Sequence, residues 1–183
     1  MSNIAPTAAS TIKSNPKLYF IIANISKRRN IQSILKAAVA FGVDQILVVG
    51  QKKFNFDIQS TSDRRCDVPR QLHHLGKGHF RFHVLQFEFL HECVTYVKDE
   101  LHARIGGVEI MENALDLETE PFTGDTAIMM GNEGSGMNQK QIDACDFFIK
   151  IAQYGDGTAS LNVNVAANIV MHRFCMWAHM QCN

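Results

Sequence analysis

Short apolar runs with no polar alternation recur along this chain, and they limit its fold more than any other feature. They are "KLYFIIAN" (Lys17 to Asn24), "QILVVG" (Gln45 to Gly50), "TAIMMG" (Thr126 to Gly131) and "FFIKIA" (Phe147 to Ala152). Runs this short and this apolar read as strands buried on both faces. Between the first two lies "NIQSILKAAVAFG", where Ile31, Ile34, Leu35, Ala38 and Phe41 fall at helical spacing and Gly42 stands at a stop. Strand, helix, strand implies a parallel pair with a right-handed crossover.

The rest of the chain repeats this alternation. "FRFHVLQF" (Phe80 to Phe87) and "ARIGGVEI" (Ala103 to Ile110) read as strands. "FLHECVTYVKDEL" and "NQKQIDACD" read as helices, and a final helix is expected from Ser160 to roughly Met180. Residues 51–78 are polar, with Pro69, Gly76 and Gly78, and read as a long loop. The class is therefore α/β, a mostly parallel sheet flanked by helices. Residues 1–16 lack the apolar centre of a signal peptide and are expected to be a disordered arm. Residues 17–183 are expected to form a single domain.

Composition excludes several classes. Hydrophobic content of 46% and charge of 20% are ordinary for a globular chain. No apolar run reaches the length of a membrane span. The five cysteines are odd in number and form no C-x-x-C, which points to a reduced, intracellular, soluble protein without a disulfide framework. The histidines of "HHLGKGHFRFH" place His79 and His83 on one strand face. No carboxylate or thiolate completes a ligand set, so no metal is expected. His172 and His179 are expected in the core or at an interface.

Net charge is zero, yet residues 1–81 hold 13 Lys and Arg against 4 Asp and Glu. The acidic excess lies in the second half. A basic half suggests an anionic partner. Lys27, Arg28 and Arg29 follow the first strand directly, at the sheet edge where ligands of open α/β folds bind. Phosphate contact is the expected role, with Arg64, Arg65 and Arg70 as weaker candidates.

Glycine loops after the strands, "VVGQKK", "MMGNEGSGM" and "IAQYGDGTASLN", mark that same edge. None has P-loop or dinucleotide-fingerprint spacing. The last runs into "GTASLNVNVAANIV", where Asn162, Asn164 and Asn168 interrupt an apolar helix. Asparagine competes for backbone hydrogen bonds and needs a reason in a helix. Ser160 stands where an N-cap belongs, and a helix–helix hydrogen bond is expected for Asn168. Spacing alone makes Asn30 the N-cap of helix 31–41.

Three stretches, in order, resemble the motifs of the SpoU-type (TrmH-like) RNA ribose 2′-O-methyltransferases of the SPOUT superfamily. They are "NIQSILKAAVAFGV", "IMMGNEGSGM" and "IKIAQYGDGTASLNVNVAANI". The resemblance runs from about Leu18 to Ala178. It implies a C-terminal deep trefoil knot, which periodicity cannot show. It also implies S-adenosylmethionine bound at Met130, Gly131, Gly136, Ile151 and Leu161, an RNA substrate (tRNA or rRNA), and methyl transfer to a ribose 2′-hydroxyl. The implied catalytic set is Asn30, Lys36, Glu133, Ser160 and Asn162. A homodimer through the final helix is implied too, with Trp177 expected as its anchor.

One departure stands out. The family reads Asn-x-Gly-x-x-x-Arg where this chain has Asn30, Gln32 and Lys36. Lysine keeps the charge but loses the planar fork of arginine. A catalytically silent RNA-binding or assembly protein, or a base methyltransferase, is therefore the alternative.

Overall fold

The computed structural model describes residues 15–50, 83–155 and 160–181. The expected N-terminal arm up to residue 14, the loop 51–78 with its arginines, and His79 lie outside the described residues.

Among the described residues seven strands form one sheet: β1 (Leu18–Ala23), β2 (Gln45–Val49), β3 (His83–Phe87), β4 (Arg104–Val108), β5 (Leu115–Asp116), β6 (Thr126–Met130) and β7 (Phe147–Lys150). Their spatial order is β3-β2-β1-β6-β4-β7-β5. Every pairing is parallel. Among the described residues four α-helices flank the sheet: α1 (Arg28–Ala40), α2 (Leu90–Thr95, extended by a π-helical turn Tyr96–Glu100), α3 (Gln139–Ala144) and α4 (Val163–Met180).

Strand β1 explains the apolar runs. All six of its residues are buried. Leu18, Phe20 and Ile22 face the layer formed by α1 and α4, while Tyr19, Ile21 and Ala23 face the layer that holds Cys93 and Val97 of α2. A sheet covered on both sides has no polar face, so alternation disappears from its sequence. Trp177 is 7% exposed and packs against Phe122 and Phe174, with ring centroids 5.5 and 5.4 Å away. It is a core residue of its own chain, not an interface anchor. His172 and His179 lie on the exposed side of α4, so the core reading for them fails.

Two helix starts differ from the expectation. α1 begins two residues before Asn30, with Lys27 at the N-cap and no side chain of that residue capping it. Asn30 is the third residue of the helix. α4 begins at Val163, and its N-cap is Asn162, whose side-chain oxygen accepts from the Asn164 N–H at 2.9 Å. Ser160 precedes the cap. Asn168 donates to the Asn164 carbonyl (2.7 Å) and side-chain oxygen (3.0 Å), bonding within α4 rather than between helices. β5 escaped sequence reading because two residues carry no periodicity.

Candidate functional site

The carboxyl ends of β1, β6, β4 and β7 lie side by side at one edge of the sheet. The segment after β6 makes a tight turn. Asn132 and Gly136 exchange both backbone hydrogen bonds, at 2.8 and 3.0 Å. Gly136 has φ +68°, a conformation that favours glycine. A Cβ on Gly131 would sit 2.8 Å from backbone atoms of Gly136 and Met137, so no side chain fits between the two halves of the turn.

This turn carries Glu133 back to the start of α1. Its carboxylate accepts from the Ser26 N–H (3.0 Å) and hydroxyl (2.8 Å), the Lys27 N–H (3.0 Å) and the Asn30 amide (2.9 Å). α1 has no acid in its own first turn and opens with two arginines. Glu133 supplies the negative charge that the helix N-terminus lacks, from more than one hundred residues away. Burial pushes its pKa up, but hydrogen bonds from Ser26, Asn30, its own backbone and Lys27 outweigh that and hold it at about 2. A carboxylate so committed is an organiser and not a proton acceptor at neutral pH.

Asn30 extends the network. It is 8% exposed, and its side-chain oxygen accepts from the Asn162 amide at 3.3 Å. Since Asn162 caps α4, a single chain of side chains runs Glu133–Asn30–Asn162 and ties β6, α1 and α4 together. Three of the five predicted catalytic residues are thus joined in series through Asn30.

A cleft of about 460 Å³ opens beside this network. All five predicted cofactor positions, Met130, Gly131, Gly136, Ile151 and Leu161, line it, together with Glu133 and Ser160. Lys36 does not line it. That residue is exposed, six positions beyond Asn30 and so about 240° around α1 from it. Lys27, Arg28 and Arg29 are exposed at the same edge, at the start of α1. Among the described residues, no group of three His, Cys, Asp or Glu residues is arranged to hold a metal. No helix among them is long and apolar enough to cross a membrane.

Sequence reasoning missed three contributors. Asn132 donates to the Asn24 carbonyl at 2.8 Å and accepts from the Gly134 N–H at 2.9 Å, shaping the turn. Gln141, 1% exposed, donates to the Met130 carbonyl (3.3 Å) and accepts from the Asn138 N–H (3.2 Å). The spacing Asn138-x-x-Gln141 is a capping-box signal that was available in the sequence. Glu109, at the end of β4, accepts from the Met137 N–H (2.9 Å) and lines the cleft. No motif pointed to it.

A family model for the SpoU rRNA Methylase family matches residues 17–172. The chain belongs to that family. Among curated relatives of this SpoU chain, a Staphylococcus aureus (strain COL) protein named for the TrmH family of tRNA/rRNA methyltransferases is 29% identical over 152 residues, 83% of this chain and 56% of that protein. The 23S rRNA (guanosine-2′-O-)-methyltransferase RlmB of Acinetobacter baylyi is 23% identical over 159 residues, 86% and 59% of the two chains. The SpoU chain thus spans little more than half the length of these relatives. In fold it is similar to the SpoU methyltransferase AviRb from Streptomyces viridochromogenes, with a TM-score of 0.70, 19% identity and coverage of 92% and 62%. A structure of AviRb in complex with AdoMet matches with a TM-score of 0.68, 18% identity and coverage of 94% and 62%.

Proposed function

We propose that this SpoU chain is an S-adenosylmethionine-dependent RNA methyltransferase acting on a ribose 2′-hydroxyl of tRNA or rRNA. The observation that carries the reading is the Glu133–Asn30–Asn162 chain standing beside a cleft lined by all five expected cofactor positions. The relatives' names agree with it, since RlmB is named as a guanosine-2′-O-methyltransferase and AviRb has been crystallised with AdoMet.

The cleft suits this cofactor. Its volume is in the range of small-molecule sites. Leu161 and Ile110 line it with apolar side chains left 37% and 65% exposed, which a bound nucleoside would cover. Gly131 and Gly136 line it without side chains of their own. The cofactor supplies an electrophilic methyl group on its sulfonium.

The chain's own residues perform the rest. Glu133, which lines the cleft, holds the start of α1 and the Asn30 amide. Asn30 and Asn162 fix the entry to α4 and with it Leu161 and Ser160 at the cleft wall. Such positioning serves a displacement that needs nucleophile, methyl and sulfur in line. Lys27, Arg28 and Arg29 grip RNA phosphates at the edge. Lys36 keeps the positive charge of the family's arginine on the exposed face of α1, outside the cleft lining. On the same reading the chain forms the trefoil knot of its family, and a homodimer forms on α4. The exposure of Val165 (44%), Ile169 (36%), Met176 (43%) and Met180 (53%) supports the dimer.

The exposed position of Lys36, away from the cleft, favours one rival, an RNA-binding protein without catalysis on the same fold. Mass spectrometry of RNA from cells with and without the protein separates the two. Loss of one 2′-O-methyl nucleotide is expected, and an unchanged modification profile favours the rival. A methyl group missing from a base instead would move the reaction to the base.

A further inference from the structure

We infer that Glu109 makes the cleft selective for a cationic ligand over its neutral counterpart, and so for the methyl-charged cofactor over the demethylated product. The inference rests on the proposed cofactor reading.

The ionisable side chains that line the cleft are few. Glu109, Glu133 and Lys150 are the only Asp, Glu, Lys, Arg or His residues among its described lining. Glu133 is committed to four donors from the β1–α1 segment, all on the far side of the turn from β4. Lys150 is drawn toward Asp116, with its Nζ 3.7 Å from the carboxylate.

Glu109 differs from both. Its two oxygens accept one backbone N–H each, Ile110 at 2.9 Å and Met137 at 2.9 Å. A carboxylate offers about four acceptor sites, so roughly two remain for a ligand. Among the described residues no cation lies within ion-pair distance of it. Its place is also central: Val108, its neighbour in β4, pairs with Met130 on one side and Ile149 on the other. A carboxylate held by two neutral donors, without a countercharge, in the middle of a partly desolvated cleft, favours a positive ligand.

The chemistry of the proposed reaction makes that bias useful. The cofactor carries a sulfonium before transfer and a neutral thioether after it. A carboxylate that holds the first better than the second speeds clearance of product.

Glu109 also supports the turn: a Cβ on Gly136 would meet its Oε2 at 2.6 Å. The test must therefore separate charge from shape. Binding of S-adenosylmethionine, its ammonium isostere sinefungin, and S-adenosylhomocysteine is measured by calorimetry on the full chain and on Glu109→Gln and Glu109→Asp, with thermal melts alongside. In Glu109→Gln the ratio of cationic to neutral affinity is expected to fall about three- to tenfold, the Coulomb effect of one charge across a partly wet cleft. Glu109→Asp is expected to keep most of the ratio. A parallel loss for all three ligands would overturn the proposal, because a turn support or a ribose contact weakens them equally. An unchanged ratio would overturn it as well. If the unaltered chain binds none of the three, the cofactor reading itself fails first.

Discussion

The Glu133 network and the outer face of α4 are opposites. In the network nearly every polar group is satisfied inside the chain: one carboxylate takes four donors, and Asn30 and Asn162 each both give and accept. On α4, apolar side chains at positions 165, 169, 176 and 180 remain exposed beside a buried face that includes Phe174 and Trp177. The first region holds three chain segments in one geometry. The second has surface left over. Residue type alone does not separate them, since asparagines occur in both and apolar residues dominate α4 on either side.

The largest expected effect tests the two faces of α4 against each other. Trp177→Ala should cost roughly 3–5 kcal/mol of stability, as for a truncated aromatic core residue, read by denaturant unfolding. Ile169→Glu should leave stability within about 1 kcal/mol but turn a dimer into a monomer by light scattering. Equal stability losses in the two variants would erase the distinction drawn here. An unaltered chain that is already monomeric at micromolar concentration would remove the dimer.

Next comes Glu133. Glu133→Gln leaves donors of Ser26 and Lys27 without their charged acceptor and should cost about 1 kcal/mol, a modest figure because the site is partly exposed. The loss depends on pH. The folded carboxyl titrates at about 2 against an ordinary 4.5, so the unfolded chain takes the proton first on acidification. The contribution is complete above about pH 4.5 and lost as pH falls through about 2. Stability curves of the two proteins should therefore converge across that window. A constant gap would mean that shape, not charge, is the contribution.

The start of α1 sharpens the contrast, because its cations are exposed where the neighbouring carboxylate is spent. Arg28→Glu with Arg29→Glu should weaken RNA binding and flatten its dependence on salt, while cofactor affinity stays within about twofold. Undiminished RNA affinity would make these arginines a solvated face. Lys36 gives the smallest expected effect in binding. Lys36→Arg should keep or raise methyl transfer and Lys36→Ala should lower it, as for a charge role. Full activity in Lys36→Ala would take the residue out of the mechanism.

Much of the fold was legible because burial on both faces leaves continuous apolar runs, and six of the seven strands carry them or a near equivalent. The expected cofactor positions follow the same lead only in part: Met130 and Gly131 stand at the end of β6 and Ile151 follows β7, while Gly136 lies within the turn and Leu161 just ahead of α4. The caps were not legible. Asn30 looked like an N-cap because local spacing cannot reveal that a distant carboxylate starts the helix two residues earlier. Ser160 looked like one because Ser and Asn are comparable caps, and the choice of Asn162 rests on its contact with Asn30. Trp177 looked like an anchor because a helix apolar on several sides does not say which side meets its own sheet.

By itself, the sequence determined the class, the parallel order of strand and helix, and the edge where chemistry gathers, all consequences of short-range periodicity and turn chemistry. Only the tertiary structure decided which polar groups meet. The Glu133 and Asn30 side chains stand 103 residues apart, and Asn30 and Asn162 another 132. Contacts of that range depend on sheet order and on how β1, β6 and α4 pack. Local propensity carries no record of it.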